Sequence, residues 1–360
     1  MRRGRLRNVG LIALLAAAPI IFSSCLEPPG SYSPANPGID EPDPAMQPFG
    51  NAFGAFTQVI GGESCVTVPC AQGIIPDNFP TYTLLYPPAG HSTQNPTDAM
   101  PGPHFLKSDT SSWAPSVIQL NGLYVLAYGA NQNNRLSCIG EAYATNPYGP
   151  YTDTGFLYCS ISTVHGFLDP QLFKDSRTGN VWMLFSDQAF SGPTPCGNGP
   201  DSSLWIVQMT SNGLSVSGSP VELLTWAQAD SIQGLPYLGT AACVENPNIV
   251  NDVNNNYDLL FSIGTYNQGN PQGNTYVTGE VACLNLNDSA SGCGYDPSGG
   301  GTVINPSNGS TSLGGGGAST LTTGDPAGNY LMYAQYINGL RNDNVGGPTT
   351  NCNPGTTNCG

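Results

Sequence analysis

The feature that most constrains the fold is a hairpin-forming unit that occurs four times. Each copy has a short entry motif, an apolar segment, a turn rich in Gly and Asn, and a second segment of alternating aromatic and aliphatic residues. This pattern predicts two antiparallel strands joined by a turn whose residues tolerate positive φ. The copies begin at Pro115, Pro170, Pro247 and Ser319, which lie 55, 77 and 72 residues apart.

The spacing leaves room for one or two further strands in each copy, and long amphipathic helical patterns are absent from the sequence. A radial arrangement of such units protects the edges of the sheets, as in the blades of a β-propeller. We therefore predict an all-β propeller. A β-sandwich or a β-helix is the alternative, but a sandwich would not explain why acidic residues recur at the entry to the hairpins.

The N-terminus has the pattern of an export signal. Four arginines precede an uncharged apolar run from Val9 to Phe22, which is too short to cross a bilayer comfortably. The run ends in Phe22-Ser23-Ser24-Cys25, which resembles a bacterial lipobox. We predict a signal peptide of the lipoprotein type over residues 1–24, with a lipid on Cys25; an ordinary signal peptide is the alternative.

The next segment, residues 25–50, is rich in proline and is predicted to be an extended tether. Residues 51–360 are then the propeller domain. Export places the protein outside the cell, at the cell surface or in the periplasm, with the lipid holding it on the outer surface of a membrane. We expect a monomer.

The charge of the chain limits its partners. Asp and Glu number 24 against nine Lys and Arg, and four of those nine lie in the signal segment. A surface this acidic repels phosphate backbones, so nucleic acid is excluded as a partner and a neutral ligand is favoured.

The cysteines favour disulfides. Ten remain when Cys25 is set aside, and the sequence contains neither a CxxC pair nor a Cys/His cluster with zinc spacing. Close pairs at Cys65/Cys70, Cys283/Cys293 and Cys352/Cys359 suggest local loops, although the sequence alone does not fix the connectivity.

Two carboxylates at hairpin entries suggest a reaction. Asp169 precedes Pro170, and Glu245 lies two residues before Pro247. In a propeller the entries of successive hairpins converge on the central axis, although they are far apart in sequence. A pair of carboxyl groups in a polar pocket is what glycosidic cleavage requires, with one acting as an acid and the other ionised. The alternative is that an Asp before proline simply starts a turn.

Four segments together resemble a known family. They are WAPSV from Trp113, CIGEAYATNPYGPYTDTG from Cys138, LDPQLFKD from Leu168 and VENPNIV from Val244. Their order is similar to that in glycoside hydrolase family 43, and GGGGAS (Gly314 to Ser319) resembles the entry to that family's fifth blade. The resemblance implies a five-bladed β-propeller and an inverting enzyme that acts on arabinose- or xylose-containing plant polysaccharides or oligosaccharides.

The resemblance also implies roles for individual residues. Glu245 corresponds to the general acid, and Asp169 to the aspartate that orients the acid and raises its pKa. The family's general base is an aspartate in an Asp-Pro element of the first blade, followed by a hairpin. The nearest match to that aspartate is Asp77, before TYTLLY, although Asn78 stands where the family has proline. The alternative is that the chain has lost the general base.

Three further residues are predicted to bind substrate. Trp113 can stack on a sugar ring, Arg341 resembles a family position that reaches the substrate, and His165 lies just before the Asp169 motif. Their alternatives are core packing, a surface salt bridge and a solvated loop position. Relatives often have a histidine associated with an ion where this chain has Gly317-Ala318. We therefore predict no cofactor and no metal site, with a structural calcium ion as the alternative.

The functional hypothesis is an extracellular glycosidase of arabinan or xylan type. A glycan-binding surface propeller that has lost its general base is the second hypothesis. A structural surface protein without a pocket is the third, and it does not explain the recurring acidic residues.

Overall fold

The structure is a computed structural model, and it describes part of the chain in full and part as backbone only. Side chains are described for residues 99–100, 114–130, 137–162, 164–189, 202–232, 243–249, 257–264, 278–283, 285–286 and 293. Backbone alone is described for residues 45–49, 52–56, 80–85, 97–98, 112–113, 131, 250–251, 277, 301–304, 312–322, 329–337 and 340–342.

The sheets are antiparallel and are numbered here in their order along the chain; most described side chains belong to the second, third and fourth, which have four strands each. The second sheet contains β5 (Ser112–Leu120), β6 (Leu123–Asn131), β7 (Ser137–Ala144) and β8 (Thr152–Cys159). The third contains β9 (His165–Lys174), β10 (Val181–Ala189), β11 (Ser203–Gln208) and β12 (Val221–Thr225). The fourth contains β13 (Cys243–Asn251), β14 (Tyr257–Gly264), β15 (Val277–Cys283) and β16 (Gly301–Ile304).

The remaining strands pair in the same sequential manner. The first sheet contains β1 (Ala45–Phe49), β2 (Ala52–Phe56), β3 (Pro80–Leu85) and β4 (Thr97–Asp98). The last contains β17 (Ser312–Thr322), β18 (Asn329–Ile337) and β19 (Leu340–Asn342). Strand β1 lies inside the segment predicted as a tether, and it pairs with β2 from Ala45 to Phe49.

The four predicted hairpins are confirmed as β5–β6, β9–β10, β13–β14 and β17–β18. In the first of them Leu120 pairs with Leu123 across the turn. Asn121 and Gly122 have φ of 51° and 85°, the positive values that a tight hairpin turn of two residues favours. Asparagine is tolerated at position 121 because its short polar side chain adopts the left-handed region more readily than most side chains do.

The first strand of each of these hairpins contains a β-bulge at the entry motif. Two residues of the first strand face one residue of its partner at positions 114–115, 169–170, 246–247 and 317–318. Ala114, Asp169 and Asn246 have φ of 46°, 51° and 51°, so each takes the left-handed conformation just before a proline. The recurring sequence motif is therefore the sequence of a repeated bulge, which bends the strand and redirects its side chains.

The residue that faces each bulge is aromatic in all four hairpins, and it is Tyr128, Phe185, Phe261 or Tyr333. The first three are at most 1 % exposed. Tyr128 lies opposite Gly140 on β7, where a Cβ atom would collide with the tyrosine ring. The aromatic ring thus requires a glycine on the neighbouring strand of the second sheet.

Hydrophobic cores fill the seams between neighbouring sheets. The period-two alternation of β10 places Val181, Met183 and Phe185 in a cluster with β5–β7 residues, and Trp182 and Leu184 in a cluster with β13–β15 residues. The third sheet is therefore buried on both faces, as expected for stacked sheets.

Two disulfides join pairs of cysteines that are both described, Cys138–Cys159 between β7 and β8 and Cys283–Cys293. The second confirms one of the predicted local pairs; the Cys65/Cys70 and Cys352/Cys359 pairs lie outside the described residues. One short helix, α1 (Trp226–Asp230), begins with a capping box formed by Thr225 and Gln228. No helix among the described residues is long and apolar enough to cross a membrane.

Candidate active site

Asp169 lies in the left-handed position of the β9 bulge. Asp is among the residues that tolerate a positive φ, and the bulge turns its side chain toward the fourth sheet. The carboxylate is 7 % exposed. Its Oδ2 accepts hydrogen bonds from the backbone N–H of Asn246 at 3.1 Å and from the Ser186 hydroxyl at 3.4 Å. Asp169 thus holds the backbone of the residue that follows Glu245.

Glu245 lies on β13, directly before the left-handed Asn246, and is 6 % exposed. Its Oε2 accepts a hydrogen bond from Nε2 of Gln188 at 2.7 Å. Gln188 belongs to β10 and is 3 % exposed. The two predicted carboxylates are therefore buried on adjoining sheets, and polar groups of the third sheet contact both Glu245 and its neighbour.

The strand registers place the two carboxylates at different positions relative to their bulges. Asp169 occupies the left-handed position of its bulge, whereas Glu245 occupies the position before it. The two residues therefore do not hold equivalent places in their sheets, although both lie at hairpin entries. Glu245 pairs with Ser262 just before its bulge, whereas Asp169 is one of the two residues that face Phe185.

Ser186 and Gln188 were not identified from the sequence. They follow the apolar run of β10 at alternate positions, and period-two geometry therefore places them on the face that carries Leu184 toward the fourth sheet. Ser186 is fully buried, and its hydroxyl oxygen accepts a hydrogen bond from the N–H of Asn246 at 3.1 Å. The signal that could have found them is this pair of alternating polar residues at the end of an apolar strand.

A second glutamine connects the same two sheets farther along the strands. Nε2 of Gln171 donates to Oδ1 of Asn248 at 2.6 Å, and Oε1 of Gln171 accepts from the N–H of Ile249 at 2.6 Å. These contacts fix the register of β9 against β13 beyond the bulge.

His165 is the first residue of β9 and comes shortly before Asp169 on the same strand. Its Nδ1 is 3.1 Å from Oδ1 of Asp187, and the two side chains are 32 % and 21 % exposed. Burial raises the pKa of Asp187, and the neighbouring imidazole partly opposes that shift. His165 thus contacts the residue next to Gln188, while its predicted role in substrate binding stays a prediction.

Glu141 is a buried acidic residue that the sequence reasoning did not single out. It lies on β7, is 4 % exposed, and its Oε2 accepts a hydrogen bond from the Thr154 hydroxyl at 3.2 Å. Its Oε1 is buried without a hydrogen-bond partner. Burial raises the pKa of Glu141 from 4.5 to about 7, and the Thr154 hydrogen bond opposes the shift.

Other predicted site residues are described less fully or not at all. The backbone of Trp113 pairs with Gly129 at the last position before the β5 bulge, which is the position that Glu245 holds in β13. The backbone of Arg341 pairs with Tyr336. Asp77 and Cys25 lie outside the described residues, so their roles stay predictions.

Among the residues whose side chains are described, no three His, Cys, Asp or Glu side chains lie together in a way that could hold a metal ion. The Gly317-Ala318 segment is described as backbone only, so the absence of an ion site there stays a prediction.

Residues 91–356 match the family model for glycosyl hydrolases family 43. The chain belongs to this family. Its members are glycosidases, and this chain is therefore a glycosidase as predicted. The match includes both carboxylates and all four bulged hairpins, whereas β1, β2 and β3 lie before it.

Solved structures of family 43 enzymes are similar along most of the chain. A thermostable family-43 glycoside hydrolase has a TM-score of 0.61 at 16 % identity, covering 85 % of this chain and 87 % of the other. The Bacillus subtilis arabinanase has a TM-score of 0.53 at 19 % identity, covering 84 % and 90 %. The family 43 endo-arabinanase of Bacillus licheniformis has a TM-score of 0.53 at 20 % identity, covering 87 % and 99 %. No curated protein sequence matches the chain.

These similarities establish the fold class. The chain is nearly all-β and has the propeller-like arrangement of family 43 enzymes. At these identities the structures establish the fold alone.

Proposed function

We propose that this protein is an extracellular, inverting glycosidase that cleaves arabinose- or xylose-containing polysaccharides. The observation that carries the proposal is the link from Asp169 to Asn246, which connects one buried carboxylate to the strand segment that bears the other. The similar solved structures include arabinanases and an arabinofuranosidase, which supports an arabinan-type substrate.

Glu245 is the proposed general acid. Burial at 6 % exposure disfavours its charged form, and a nearby carboxylate acts in the same direction. The protonated acid gives its proton to the glycosidic oxygen as the bond breaks. Asp169 is the proposed orienting group, because its hydrogen bond to the N–H of Asn246 restrains the backbone that carries Glu245.

We propose that the five sheets are the blades of one propeller. Contacts between first strands support this arrangement, because β5 contacts β9, β9 contacts β13 and β13 contacts β17. Strand β1 contacts both β5 and β17, which supports a closed ring. A closed ring leaves each blade packed between two others.

The position of β1 changes the proposed general base. Asp43-Pro44 comes directly before Ala45, the first residue of β1, and Phe49 pairs with Ala52. Pro44 precedes Phe49 by the same number of residues as Pro115 precedes Leu120, the last residue of β5 before the Asn121-Gly122 turn. The sequence thus has an Asp-Pro element followed by a hairpin at the start of the first sheet.

Asp77, in contrast, comes before β3, the third strand of that sheet. In the sheets that carry Asp169 and Glu245, the acidic residues belong to the first strand. We therefore propose Asp43 as the general base in place of Asp77. An inverting mechanism requires this carboxylate at about 6.5–9.5 Å from Glu245, with a water molecule between it and the sugar.

The decisive experiment is hydrolysis by the purified exported chain. Linear arabinan, arabinoxylan, an aryl arabinofuranoside and an aryl xyloside are the substrates, and the anomeric configuration of the first product is followed by proton NMR. Turnover with inversion is the expected result. A folded protein that binds arabinan without cleaving it would favour the glycan-binding propeller instead.

Two variants assign the carboxylates in the same experiment. Glu245→Gln should lose most activity toward arabinan but retain more toward an aryl glycoside, whose leaving group needs little protonation. Asp43→Asn should lose activity toward both substrates, because activation of water is needed in each case. Equal losses in the two variants on every substrate would contradict the assignment.

We also propose export and anchoring through a lipid on Cys25. Polymeric glycans are met outside the cell, so the location suits the proposed activity. A C-terminal propeller behind a lipid-bearing N-terminus would act on substrate close to the membrane surface.

A further inference from the structure

We propose that Gln188 is a positioning residue that holds Glu245 at Oε2 and directs its proton to Oε1. The inference rests on the proposed role of Glu245 as general acid. Gln188 is a neutral amide that acts beside the two carboxylates implied by the family resemblance. We expect it to affect the pH range of activity and to determine which oxygen of Glu245 releases the proton.

The contact itself is short and buried. Nε2 of Gln188 lies 2.7 Å from Oε2 of Glu245, and the two residues are 3 % and 6 % exposed. The residues are 57 positions apart and belong to different sheets. A buried hydrogen bond between groups on two strands restrains the orientation of both.

The chemistry of the amide gives the contact a direction. The –NH₂ group of glutamine can only donate, so Oε2 must accept whether or not Glu245 is protonated. The carbonyl oxygen of a neutral carboxyl group is a better acceptor than its hydroxyl oxygen, so the contact favours the form of the acid whose proton is on Oε1. Oε1 is then the atom that donates to the glycosidic oxygen, while Oε2 stays bound to Gln188.

The same bond affects the ease of protonation. A hydrogen bond donated to a carboxylate favours its ionised form, whereas burial and a nearby negative charge favour the neutral form. Gln188 thus opposes the effect of burial on Glu245. Its amide should lower the pH at which the enzyme loses its acid and, with it, its activity.

The placement of Gln188 on β10 is rigid. It pairs with Gly166 of β9, and Ser186, two residues earlier on the same face, bonds the N–H of Asn246. Two alternate residues of one strand therefore hold Glu245 and the residue after it. Strand β10 acts as the support from which the acid is oriented.

The test compares Gln188→Leu with Gln171→Leu. Both glutamines connect the third and fourth sheets, but Gln171 contacts Asn248 and Ile249 and does not contact Glu245. A purely structural role predicts similar effects for both variants. Gln188→Asn provides a smaller change that keeps a polar side chain but shortens its reach.

Two readouts are measured for each variant. The first is kcat/KM against pH with an arabinan oligosaccharide, whose leaving group needs the acid. The second is the carboxyl ¹³C shift of Glu245 against pH in protein labelled at glutamate, with the signal assigned by its loss in Glu245→Gln. The chain contains only seven glutamates, which makes the assignment practical.

We expect Gln188→Leu and Gln188→Asn to move the alkaline limb of the profile and the Glu245 titration upward by about one pH unit. Turnover of the oligosaccharide should fall about tenfold, with a smaller loss on an aryl glycoside. Gln171→Leu should lower the melting temperature and leave both midpoints in place.

The inference is overturned if the Glu245 titration is the same in wild type and in both Gln188 variants. A wild-type protein that hydrolyses none of the substrates would instead contradict the proposed function. In that case the ¹³C titration still decides whether Gln188 controls the protonation of Glu245. The two failures are therefore distinguishable.

Discussion

Replacing Glu141 by glutamine should remove a specific pH dependence of stability. Glu141 lies on β7 with Oε1 buried and without a partner, and its pKa is raised from 4.5 to about 7. The folded protein therefore binds a proton that the unfolded chain has already released between these two pH values. Stability from this group is present at low pH and is lost as the pH rises from about 4.5 to about 7.

The size of the effect follows from the shift. Each pKa unit corresponds to about 1.4 kcal/mol, so ionising Glu141 in the folded state costs about 3 kcal/mol above neutral pH. Glutamine has nearly the same shape and carries no charge. Glu141→Gln should therefore have nearly wild-type stability at pH 4.5 and should exceed the wild type by about 3 kcal/mol at pH 8.

Urea denaturation at a series of pH values, with disulfides intact, measures this difference directly. The wild-type curve also contains a contribution from Glu280, whose pKa is raised to about 7 by burial and by Asp258. For that reason the quantity to follow is the difference between variant and wild type, in which the Glu280 contribution cancels. A difference that stays constant from pH 4.5 to pH 8 would refute the reasoning.

Three further predictions concern the base, the core and the anchor. Asp43→Asn should lower kcat by at least about a hundredfold, as expected for loss of general-base catalysis. Asp77→Asn should leave kcat within a few-fold of wild type. Steady-state kinetics of the two variants decide which aspartate is the base. Gly140→Ala should destabilise the fold by about 1–3 kcal/mol, because the new methyl group collides with the Tyr128 ring, and a lowered urea midpoint with an unchanged slope is the expected sign. Mass spectrometry of the mature protein should find a diacylated or triacylated Cys25 at its N-terminus, and an unmodified N-terminus elsewhere would contradict anchoring.

The hairpins could be predicted from the sequence because their signals are local. The Asn121-Gly122 turn and the alternating residues around it specify two strands without reference to the rest of the molecule. The entry motif of each hairpin was also visible. Its structural meaning, a bulge that has a left-handed residue before proline in three of the four hairpins, emerged only from the backbone angles and the pairing registers.

The partners of the carboxylates could not be predicted from the sequence. Gln188 and Glu245 are 57 residues apart, and their contact depends on how two sheets pack. Asp169 and Glu245 were identified because acidic residues recur at hairpin entries in the sequence. Strand β1 was missed because the proline-rich composition around it was taken to indicate a tether, which obscured the Asp-Pro element at its start.

The repeated bulge has a practical consequence for altering this enzyme. In the third sheet the left-handed position of the bulge is Asp169, and in the fourth sheet the position just before it is Glu245. The same two positions in the second sheet are Ala114 and Trp113. The backbone there already has the shape that supports a carboxylate elsewhere, with Ala114 at a φ of 46°. A combinatorial library at these two positions would thus sample new side chains on an existing scaffold, and Asn or Asp at 114 should relieve a conformation that alanine adopts with difficulty.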